Sequence, residues 1–473
     1  MQPGASMALA RAYSMLGGLV WLVACGPQPA EEARFDPGKH LRLAEAVDLD
    51  PDPHVTSVKL RAAPASIEIL PGITTEVLAY SNSLPGPLIR AKRGDRVHIE
   101  FENGLSIPTT VHWHGMRVPN DMDGVPHHGP LLVQPGNGFI YDYIALDAGL
   151  YWYHPHHYSL ETIGAGLYGP LLVDDPDDPP ELGDEVVLVL SDISLDENGA
   201  LYHHPNDRDT VAAGRDGNVV LVNGRERPRL EALSGRRQRW RIVNSARSRY
   251  FRLSLPGHTF LQIGSDGGRM EYPMEVAEPL IVPGERLDLL VEPRGEPGTA
   301  LELRALPVAR GSSLPQSELV VLLDVDFVGV GSSPPLPDLK RPLVPIDARG
   351  AATVEIGLTM GETNGVVEMG INGIPYQSST PLHARVGETQ VLRVKSESAF
   401  SHPFHLHGFA FQELDAARVP VHPIQLKDTI EVPPLGIKEL AVTYDDRPGT
   451  WMFHCHILDH AEAGMMGELV VSP

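Results

Sequence analysis

Short segments in which apolar and polar residues alternate recur along the chain from about residue 55 onward. Alternation with period two places every second side chain on one face, which is typical of a half-buried β-strand. We find no long segment with the 3.6-residue period of an amphipathic helix. Turn-forming residues end each segment, so the pattern predicts an all-β protein of short strands packed as sandwiches or barrels. Examples are RVHIEF, FIYDYIAL, RWRIVNS, LDLLVEP, QVLRVKS and LAVTYDD.

Three of these segments resemble one another and are separated by about the length of a domain. They begin at Gly94 (GDRVHIEFEN), Gly235 (GRRQRWRIVN) and Gly387 (GETQVLRVKS). Each opens with glycine, carries apolar residues five and seven positions later, and ends in Asn or Ser. This agreement at domain spacing predicts a threefold duplication.

The duplication and the proline-rich segments together predict the domain boundaries. We expect a first domain over residues 55–175, a second over 176–330 and a third over 346–473, with a linker at 331–345. The acidic segment 25–54, rich in Pro, Glu and Asp, has the composition of a tether.

The first residues predict export. An apolar run, MLGGLVWLVA, precedes Cys25 and is too short to span a bilayer, so residues 1–24 are interpreted as a signal peptide. The sequence LVAC resembles the bacterial lipobox, in which cleavage before the cysteine leaves a lipid on its thiol. We therefore expect a protein of the cell envelope or periplasm, anchored by a lipid at Cys25. The alternative is an ordinary signal peptide.

The net charge and the number of cysteines limit the binding partners and the covalent links that the chain can have. A formal net charge of −23 argues against nucleic acid and against anionic membrane surfaces. Membrane association is therefore expected only through the lipid. The chain has two cysteines, Cys25 and Cys455, so the mature domain has no internal disulfide framework. The thiol of Cys455 therefore needs a role other than a disulfide bond.

Four His-x-His pairs are the clearest chemical signal. In an extended chain, residues i and i+2 point to the same side, so each pair presents two imidazoles together. Imidazole is a preferred ligand of copper, zinc and iron. Two pairs fall in the first predicted domain and two in the third, so we expect these domains to face each other, with the second as a spacer. The pairs are His112 and His114, His154 and His156, His405 and His407, and His454 and His456.

Cys455 lies between the two histidines of the last pair. Strand alternation turns its thiol to the opposite side, where it can bind a different metal a few bonds from the first site. His402, His460 and Met465 are candidates to complete that second site, and Cys with two His and a weak axial Met is a blue-copper ligand set. Zinc is the rival metal, but one tetrahedral zinc site would leave most of the histidines unexplained.

The motifs as a set resemble those of the three-domain, laccase-like multicopper oxidases of bacteria, over roughly residues 55–473. The motifs are HWHG (112–115), YHPH (153–156), HPFHLHG (402–408) and HCHILDHAEAGM (454–465). The resemblance implies three cupredoxin-like Greek-key β-barrel domains. It also implies four copper ions per chain: one of type 1, one of type 2 and two of type 3.

The resemblance assigns a role to each ligand. The type 1 copper would be held by His402, Cys455 and His460, with Met465 as the axial ligand. The type 2 copper would be held by His112 and His405. One type 3 copper would be held by His114, His154 and His456, and the other by His156, His407 and His454.

Two further positions concern protons, which the reduction of dioxygen consumes. Asp123 falls where the family places a carboxylate near the histidine cluster, which would give it a catalytic role. Many bacterial relatives carry Glu directly after the last type 1 histidine, but this chain has Ala461 there. Glu462 is one position further on and is expected to point elsewhere.

The function implied is the oxidation of a reducing substrate, one electron at a time, coupled to reduction of dioxygen to water by a monomer. Phenols and aromatic amines are the expected substrates, docking near a solvent edge of His460 or His402. The alternatives are a metal-ion oxidase acting on Cu(I), Mn(II) or Fe(II) for copper tolerance or metal homeostasis, and a non-enzymatic copper-binding envelope protein. Three repeats in one chain argue against a two-domain copper nitrite reductase.

Overall fold

A computed structural model describes residues 35–126, 132–311, 316–363 and 366–473. The chain divides into two compact units, Met1–Asp36 and Pro37–Pro473, and the strands found among the described residues lie in the second. The predicted signal peptide and Cys25 lie outside the described residues. Strands account for 48% of the residues and helices for 6%, which confirms the predicted all-β fold class.

The first two sheets take their strands from residues 55–174. The strands are β1 (Val55–Leu70), β2 (Ile73–Tyr80), β3 (Ile89–Lys92), β4 (Arg96–Asn103), β5 (His112–His114), β6 (Gly138–Ile144), β7 (Gly149–His154) and β8 (Gly169–Asp174). One sheet has the order β2-β1-β4-β6 and the other β3-β8-β7-β5. In β4, Val97, Ile99 and Phe101 are buried between them, as the alternation predicts.

The next two sheets take their strands from residues 184–330. The strands are β9 (Asp184–Ile193), β10 (Val219–Val222), β11 (Arg229–Ser234), β12 (Gln238–Asn244), β13 (Phe251–Ser254), β14 (Phe260–Ser265), β15 (Gly268–Val276), β16 (Leu280–Ile281), β17 (Arg286–Val291), β18 (Ala300–Leu306) and β19 (Val320–Val330). The sheet orders are β10-β9-β12-β17-β14-β15 and β11-β19-β18-β13-β16.

The last two sheets take their strands from residues 352–472. The strands are β20 (Ala352–Thr363), β21 (Val366–Ile371), β22 (Leu382–Arg385), β23 (Thr389–Ser396), β24 (His402–Leu406), β25 (Phe411–Leu414), β26 (Thr429–Val432), β27 (Ile437–Thr443), β28 (Gly449–Cys455) and β29 (Met466–Ser472). The orders are β21-β20-β23-β27-β25 and β22-β29-β28-β24-β26. Each pair of sheets thus uses one continuous part of the chain. The domain boundaries themselves stay a prediction.

Helices are few and short in the described residues. They are α1 (Ser159–Gly164), α2 (Arg208–Ala213) and α3 (Leu458–Glu462), with 3-10 turns at Asn120–Met122, Pro180–Leu182 and Tyr376–Ser378. None of these helices is long and apolar enough to cross a membrane. The three helices lie near one another, with α3 contacting both α1 and α2.

The three repeated segments occupy equivalent strands. β4, β12 and β23 each pair in parallel with the first strand of their part of the chain and antiparallel with a later strand. The glycines that open the repeats, Gly94, Gly235 and Gly387, have φ values of 96°, 86° and 80°, a conformation that costs glycine little. The polar residue that closes each repeat hydrogen-bonds a backbone amide two residues later. The structure therefore explains both the glycine that opens each repeat and the polar residue that closes it.

The predicted tether differs from what the structure shows for residues 37–54. Leu41 is buried in the core of the middle sheets, and its carbonyl accepts a hydrogen bond from the Asn223 side chain at 2.8 Å. Ala46 and Leu88 are joined by a backbone hydrogen bond of 2.9 Å. The acidic composition gave no indication of these contacts, because it does not show that the apolar residues Leu41, Leu43 and Ala46 pack against the sheets.

Candidate functional site

Each His-x-His pair lies on a strand or continues just beyond its end, and the strands concerned are neighbours in two different sheets. His112 on β5 is directly opposite His154 on β7, and His405 on β24 is directly opposite His454 on β28. Ring centroids within a pair are 4.8 to 6.3 Å apart, so both rings of each pair point to the same side. The strand pairing therefore collects four imidazoles on one face in each sheet.

The two sets of rings meet. The His114 ring stacks on His405 at a centroid distance of 3.8 Å, and the His112 ring stacks on His407 at 4.0 Å. The Nε2 atom of His454 lies 3.2 Å from that of His407 and 3.4 Å from that of His156. The first and third parts of the chain thus face each other through these eight histidines, which form what we call the histidine cluster. Its members are His112, His114, His154, His156, His405, His407, His454 and His456.

Hydrogen bonds on the outer side of the cluster fix the tautomers. The Nδ1 atoms of His112, His154, His405 and His454 lie 2.8 to 3.0 Å from backbone carbonyl oxygens. A carbonyl oxygen only accepts, so each Nδ1 donates a proton and Nε2 keeps a lone pair. These lone pairs are the atoms available to a metal, and the outer hydrogen bonds hold the rings in place.

The inner nitrogen atoms lack other partners. Within the described residues, no hydrogen-bond partner exists for Nε2 of His112, His154 and His405, for Nδ1 of His114, or for either nitrogen of His456. A buried polar atom without a partner is costly, and several lone pairs converging on one space repel each other. Cations held among these nitrogens would remove both penalties, so the residues present fit a group of copper ions.

The protonation states agree with metal binding. Burial, reinforced by neighbouring histidines, holds the pKa values of His154, His407 and His454 well below the ordinary value. Burial likewise lowers the pKa of His156 to about 3. These four rings are therefore neutral at neutral pH, which is the form that binds metals.

Grouping of ligand atoms partly follows the roles that the resemblance implies. One group with all ligand atoms within 4.8 Å of one another is His156, His407 and His454, the implied second type 3 set. Another contains His112 with His405 and His407, and a third contains His112 with His114 and His154. His456 lies beside this third group, with its ring centroid 5.0 Å from that of His114. The individual metal assignments remain predictions.

A separate cysteine site lies on the other side of β28. The Cys455 Sγ atom is 3.6 Å from His402 Nδ1 and 3.5 Å from His460 Nδ1, and these two nitrogens are 3.1 Å apart. The backbone nitrogen of Cys455 donates to the carbonyl of Met465 at 3.1 Å, and both residues are buried in one core cluster. Burial raises the pKa of the Cys455 thiol, so a bound cation is needed to stabilise the thiolate.

The second ring nitrogens of the cysteine site are covered by protein. His402 Nε2 lies 2.8 Å from the Ser398 hydroxyl, and His460 Nε2 lies 3.3 Å from the Ala212 carbonyl at the end of α2. His402 and His460 are only 0% and 1% exposed. The expectation of a solvent edge on these rings was wrong, because α2 from the middle part of the chain packs over His460.

A cavity of about 1270 Å³ opens beside this cover, between α1, α2 and α3. Its lining combines aromatic and apolar residues with acids and arginines. Tyr158 and Tyr202 are about half exposed there, Val211 is adjacent to the covering Ala212, and Glu462 also lines it. The Glu462 carboxylate therefore belongs to the cavity, and Ala461 offers no proton.

Asp123 lies directly beside the histidine cluster. Its Oδ2 accepts a hydrogen bond of 2.9 Å from His407 Nδ1, and its backbone carbonyl accepts one of 2.8 Å from His112. Its Oδ1 lies 3.3 Å from His112 Nδ1. Asp123 thus contacts a ring of each part of the cluster. Its role in proton supply remains a prediction.

Sequence reasoning missed a second carboxylate at the cluster. Asp428 Oδ1 lies 3.3 Å from His114 Nε2 and 3.5 Å from His405 Nδ1. Burial favours the neutral acid, but the charge of Arg286 and its hydrogen bonds hold the pKa of Asp428 well below the ordinary value. Neither residue belongs to a histidine motif. The one available signal was the charged residue that opens the strand RLDLLV, and it is weak because the same strand also contains Asp288.

Comparison with known proteins gives a consistent result. Family models described as multicopper oxidase match residues 62–178, 184–299 and 351–473. The multicopper oxidase MmcO of Mycobacterium tuberculosis is 33% identical, with 95% of this chain and 93% of that protein covered. A laccase of Bacillus subtilis is 25% identical, with 83% of this chain and 89% of that protein covered.

Solved structures of similar proteins agree with the fold. A multicopper oxidase of Pseudomonas thermotolerans superposes with a TM-score of 0.74 at 31% identity, covering 88% of this chain and 99% of that chain. A multicopper oxidase of Campylobacter jejuni described as a metallo-oxidase gives 0.78 at 26% identity, covering 94% and 98%. The similarity extends over all three pairs of sheets, and the domains are cupredoxin-like.

Proposed function

Because this chain belongs to the multicopper oxidase family, we propose that its histidine cluster and cysteine site together hold four copper ions. The family uses copper, dioxygen and a reducing substrate, so the protein is an oxidoreductase. The proposed type 1 ligands are His402, Cys455, His460 and the axial Met465. The proposed type 2 ligands are His112 and His405. The other six histidines of the cluster would share two type 3 ions.

When bound, copper supplies the one-electron chemistry that this family couples to the reduction of dioxygen to water. The chain itself does three things for that chemistry. Outer hydrogen bonds fix the rings, burial keeps bulk water out, and β28 places Cys455 between the cluster histidines His454 and His456. Asp123, bonded to His407, is the proposed carboxylate for proton delivery to the cluster.

The observation that carries the proposal is the set of buried, unpartnered inner nitrogens that converge while the outer nitrogens are bonded to carbonyls. The test is to load the protein with copper, dialyse it, and measure copper per chain with absorption and EPR spectra. We expect an intense blue absorption from the thiolate site and a separate non-blue EPR signal. Absence of the blue absorption in fully loaded protein would contradict the type 1 assignment.

Phenols and aromatic amines are the proposed substrates. They are supported by the aromatic side chains of Tyr158 and Tyr202 at the cavity beside α2, and by the laccase among the relatives. An aromatic ring stacked there would lie next to Val211, one residue from the carbonyl that contacts His460. Oxidation across this cover would need no direct contact between the substrate and the histidine.

Metal ions are the second candidate substrates. Carboxylates of Glu161, Asp207 and Glu462 line the same cavity, and a solved relative is described as a metallo-oxidase. The deciding measurement is oxygen uptake with a phenol, Cu(I), Fe(II) and Mn(II) by wild type and by Glu462→Gln. A metal-ion oxidase would lose kcat/KM for the ion about 10-fold or more while phenol oxidation is kept. A phenol oxidase would show little ion oxidation in either protein.

The proposed location is the cell envelope, with the protein exported by the signal peptide 1–24 and anchored by a lipid on Cys25. The support is the apolar segment that ends in LVAC. Mass spectrometry of the mature N-terminus from the native host would test it. An unmodified N-terminus at another residue would exclude the anchor, and size measurement of the purified protein would test the proposed monomer.

A further inference from the structure

Arg286, the first residue of β17, is completely buried, yet every donor of its guanidinium has an acceptor. Nε donates to the carbonyl of Leu150 at 3.1 Å. Nη1 donates to the carbonyl of Gly284 at 3.1 Å, and Nη2 to that of Asp266 at 3.0 Å. The two remaining donors form a fork on Asp428, with distances of 2.7 and 2.5 Å. A guanidinium has five N–H groups, and all five are used.

These contacts join all three parts of the chain at one point. Leu150 belongs to the first pair of sheets, Asp266 and Arg286 to the middle pair, and Asp428 to the third. Gly115, directly after His114, has a φ of 85°, and a Cβ built there would collide with both the Arg286 guanidinium and the Asp428 carboxylate. The close approach of the backbone at His114 therefore depends on glycine.

Asp428 carries the effect of Arg286 to the histidine cluster. Its Oδ1 faces His114 Nε2 at 3.3 Å and His405 Nδ1 at 3.5 Å, and its backbone carbonyl accepts from His405 Nδ1 at 3.0 Å. Both carboxylate oxygens accept hydrogen bonds from the arginine fork, so Asp428 is held where it can orient the two rings.

Asp266 holds the backbone on both sides of this pair. Its Oδ1 accepts from the backbone nitrogen of Arg286 at 2.8 Å, and its Oδ2 accepts from that of Thr429 at 3.2 Å. Asp266 is fully buried, so these bonds are shielded from water. The arginine and its carboxylate are thus fixed relative to each other by two backbone contacts as well as by their own fork.

We propose that Arg286 is a positioning residue for the histidine cluster, acting on His114 and His405 through Asp428. The middle part of the chain then contributes to the site and is more than a spacer. The inference rests on the proposed copper roles of these two histidines. Without the guanidinium, Asp428 is left as a buried, unpaired carboxylate that no longer holds the rings.

The test compares Arg286→Gln, Arg286→Lys and the matched control Arg239→Gln in the copper-loaded protein. Arg239 is also buried in the middle sheets and forms a fork on Asp288, at 2.5 to 3.1 Å, but neither residue contacts the cluster. The measurements are copper retained against a chelator, the non-blue EPR signal and the blue absorption.

We expect Arg286→Gln to weaken copper retention in the cluster by about 10- to 100-fold, as for other partners of metal-bound histidines. The blue absorption of the cysteine site should persist. Arg286→Lys should restore only part of the loss, because one ammonium cannot reproduce a two-pronged contact. Arg239→Gln should change copper retention less than twofold. Equal retention in Arg286→Gln and wild type, or an equal loss in Arg239→Gln, would overturn the proposal.

If Arg286→Gln does not fold, the double variant Arg286→Gln/Asp428→Asn removes both buried charges and avoids an unpaired one. Since Arg286 is proposed to act through Asp428, the double variant should retain as much copper as Asp428→Asn alone. A much larger loss in the double variant would contradict this route.

Failure of the wild type to bind copper would refute the proposed function, and this inference with it. A wild type that binds copper, together with variants that retain copper equally well, would refute this inference alone.

Discussion

The cysteine site and the histidine cluster of this oxidase differ in where their residues come from. His402, Cys455 and His460 all lie in the third part of the chain, on or next to the paired strands β24 and β28. The cluster takes four rings from the first part and four from the third, in contact across their interface. One site is thus formed by the pairing of neighbouring strands, and the other by the packing of separate domains.

This difference predicts different vulnerabilities. The cysteine site should survive changes at the domain interface, whereas the cluster should respond to any change that shifts the first part against the third. The cover over His460 is the exception, since Ala212 belongs to the middle part of the chain. The two sites are nevertheless linked through β28, so loss of either one should stop turnover.

The largest effect is expected for Cys455→Ser, which removes the ligand unique to the cysteine site. The rate of phenol oxidation should fall by more than about 100-fold. Loss of a residue that only hydrogen-bonds a metal ligand costs up to about 100-fold, and loss of a ligand should cost more. Blue absorption should disappear, while the non-blue EPR signal of the cluster is retained. The measurements are oxygen uptake and both spectra. Loss of the cluster signal as well would show that the two sites are not independently formed.

A smaller effect is expected for Asp123→Asn, which changes only the cluster. The variant keeps the size of the side chain but weakens the 2.9 Å contact with His407 Nδ1 and removes a carboxylate. We expect kcat to fall about 10- to 100-fold with the blue absorption unchanged. The exposed neighbour Asp121 provides the control, since Asp121→Asn should leave kcat within twofold. Full activity of Asp123→Asn would exclude a role in proton delivery.

The last prediction concerns stability and not turnover, namely that of the metal-free protein at acid pH. Burial lowers the pKa of His156 to about 3 and that of His460 to about 4, against an ordinary value of 6.5. Below pH 6.5 the unfolded chain takes up protons that the folded chain does not, so the free energy of unfolding should fall as pH drops. Each such histidine contributes up to about 1.4 kcal/mol per pH unit.

Two buried acids oppose this trend. The pKa of Glu285 is raised by burial to about 7 and that of Asp459 to about 6, so these groups add stability as pH falls. The histidines whose pKa is lowered outnumber these two acids; they are His114, His154, His156, His405, His407, His454 and His456 in the cluster, and His402 and His460 in the cysteine site. Urea unfolding of the copper-free protein at pH 7.5, 6 and 5 should therefore show a steady loss of stability. A flat profile over this range would contradict the protonation states described for the cluster.

Much of the fold followed from local sequence. The alternation in RVHIEF gives β4, and the glycine that opens each repeat has a positive φ in all three copies. The same rule placed the rings of each His-x-His pair on one side and Cys455 on the other. The packing of residues 37–54 on the sheets was not predicted, since their acidic composition does not show that Leu41, Leu43 and Ala46 contact the core.

The sequence by itself thus determined the strand-forming segments, their threefold repeat, and the side to which the His-x-His rings and Cys455 point, because these depend on the period of the chain over a few residues. Only the tertiary structure decided which side chains surround those ligands. Arg286, Asp428 and the Ala212 carbonyl lie outside the histidine motifs, and the local sequence does not show that they reach these sites. They reach the sites because three domains pack at defined positions, and contacts between domains follow from shape and buried charge over the whole molecule.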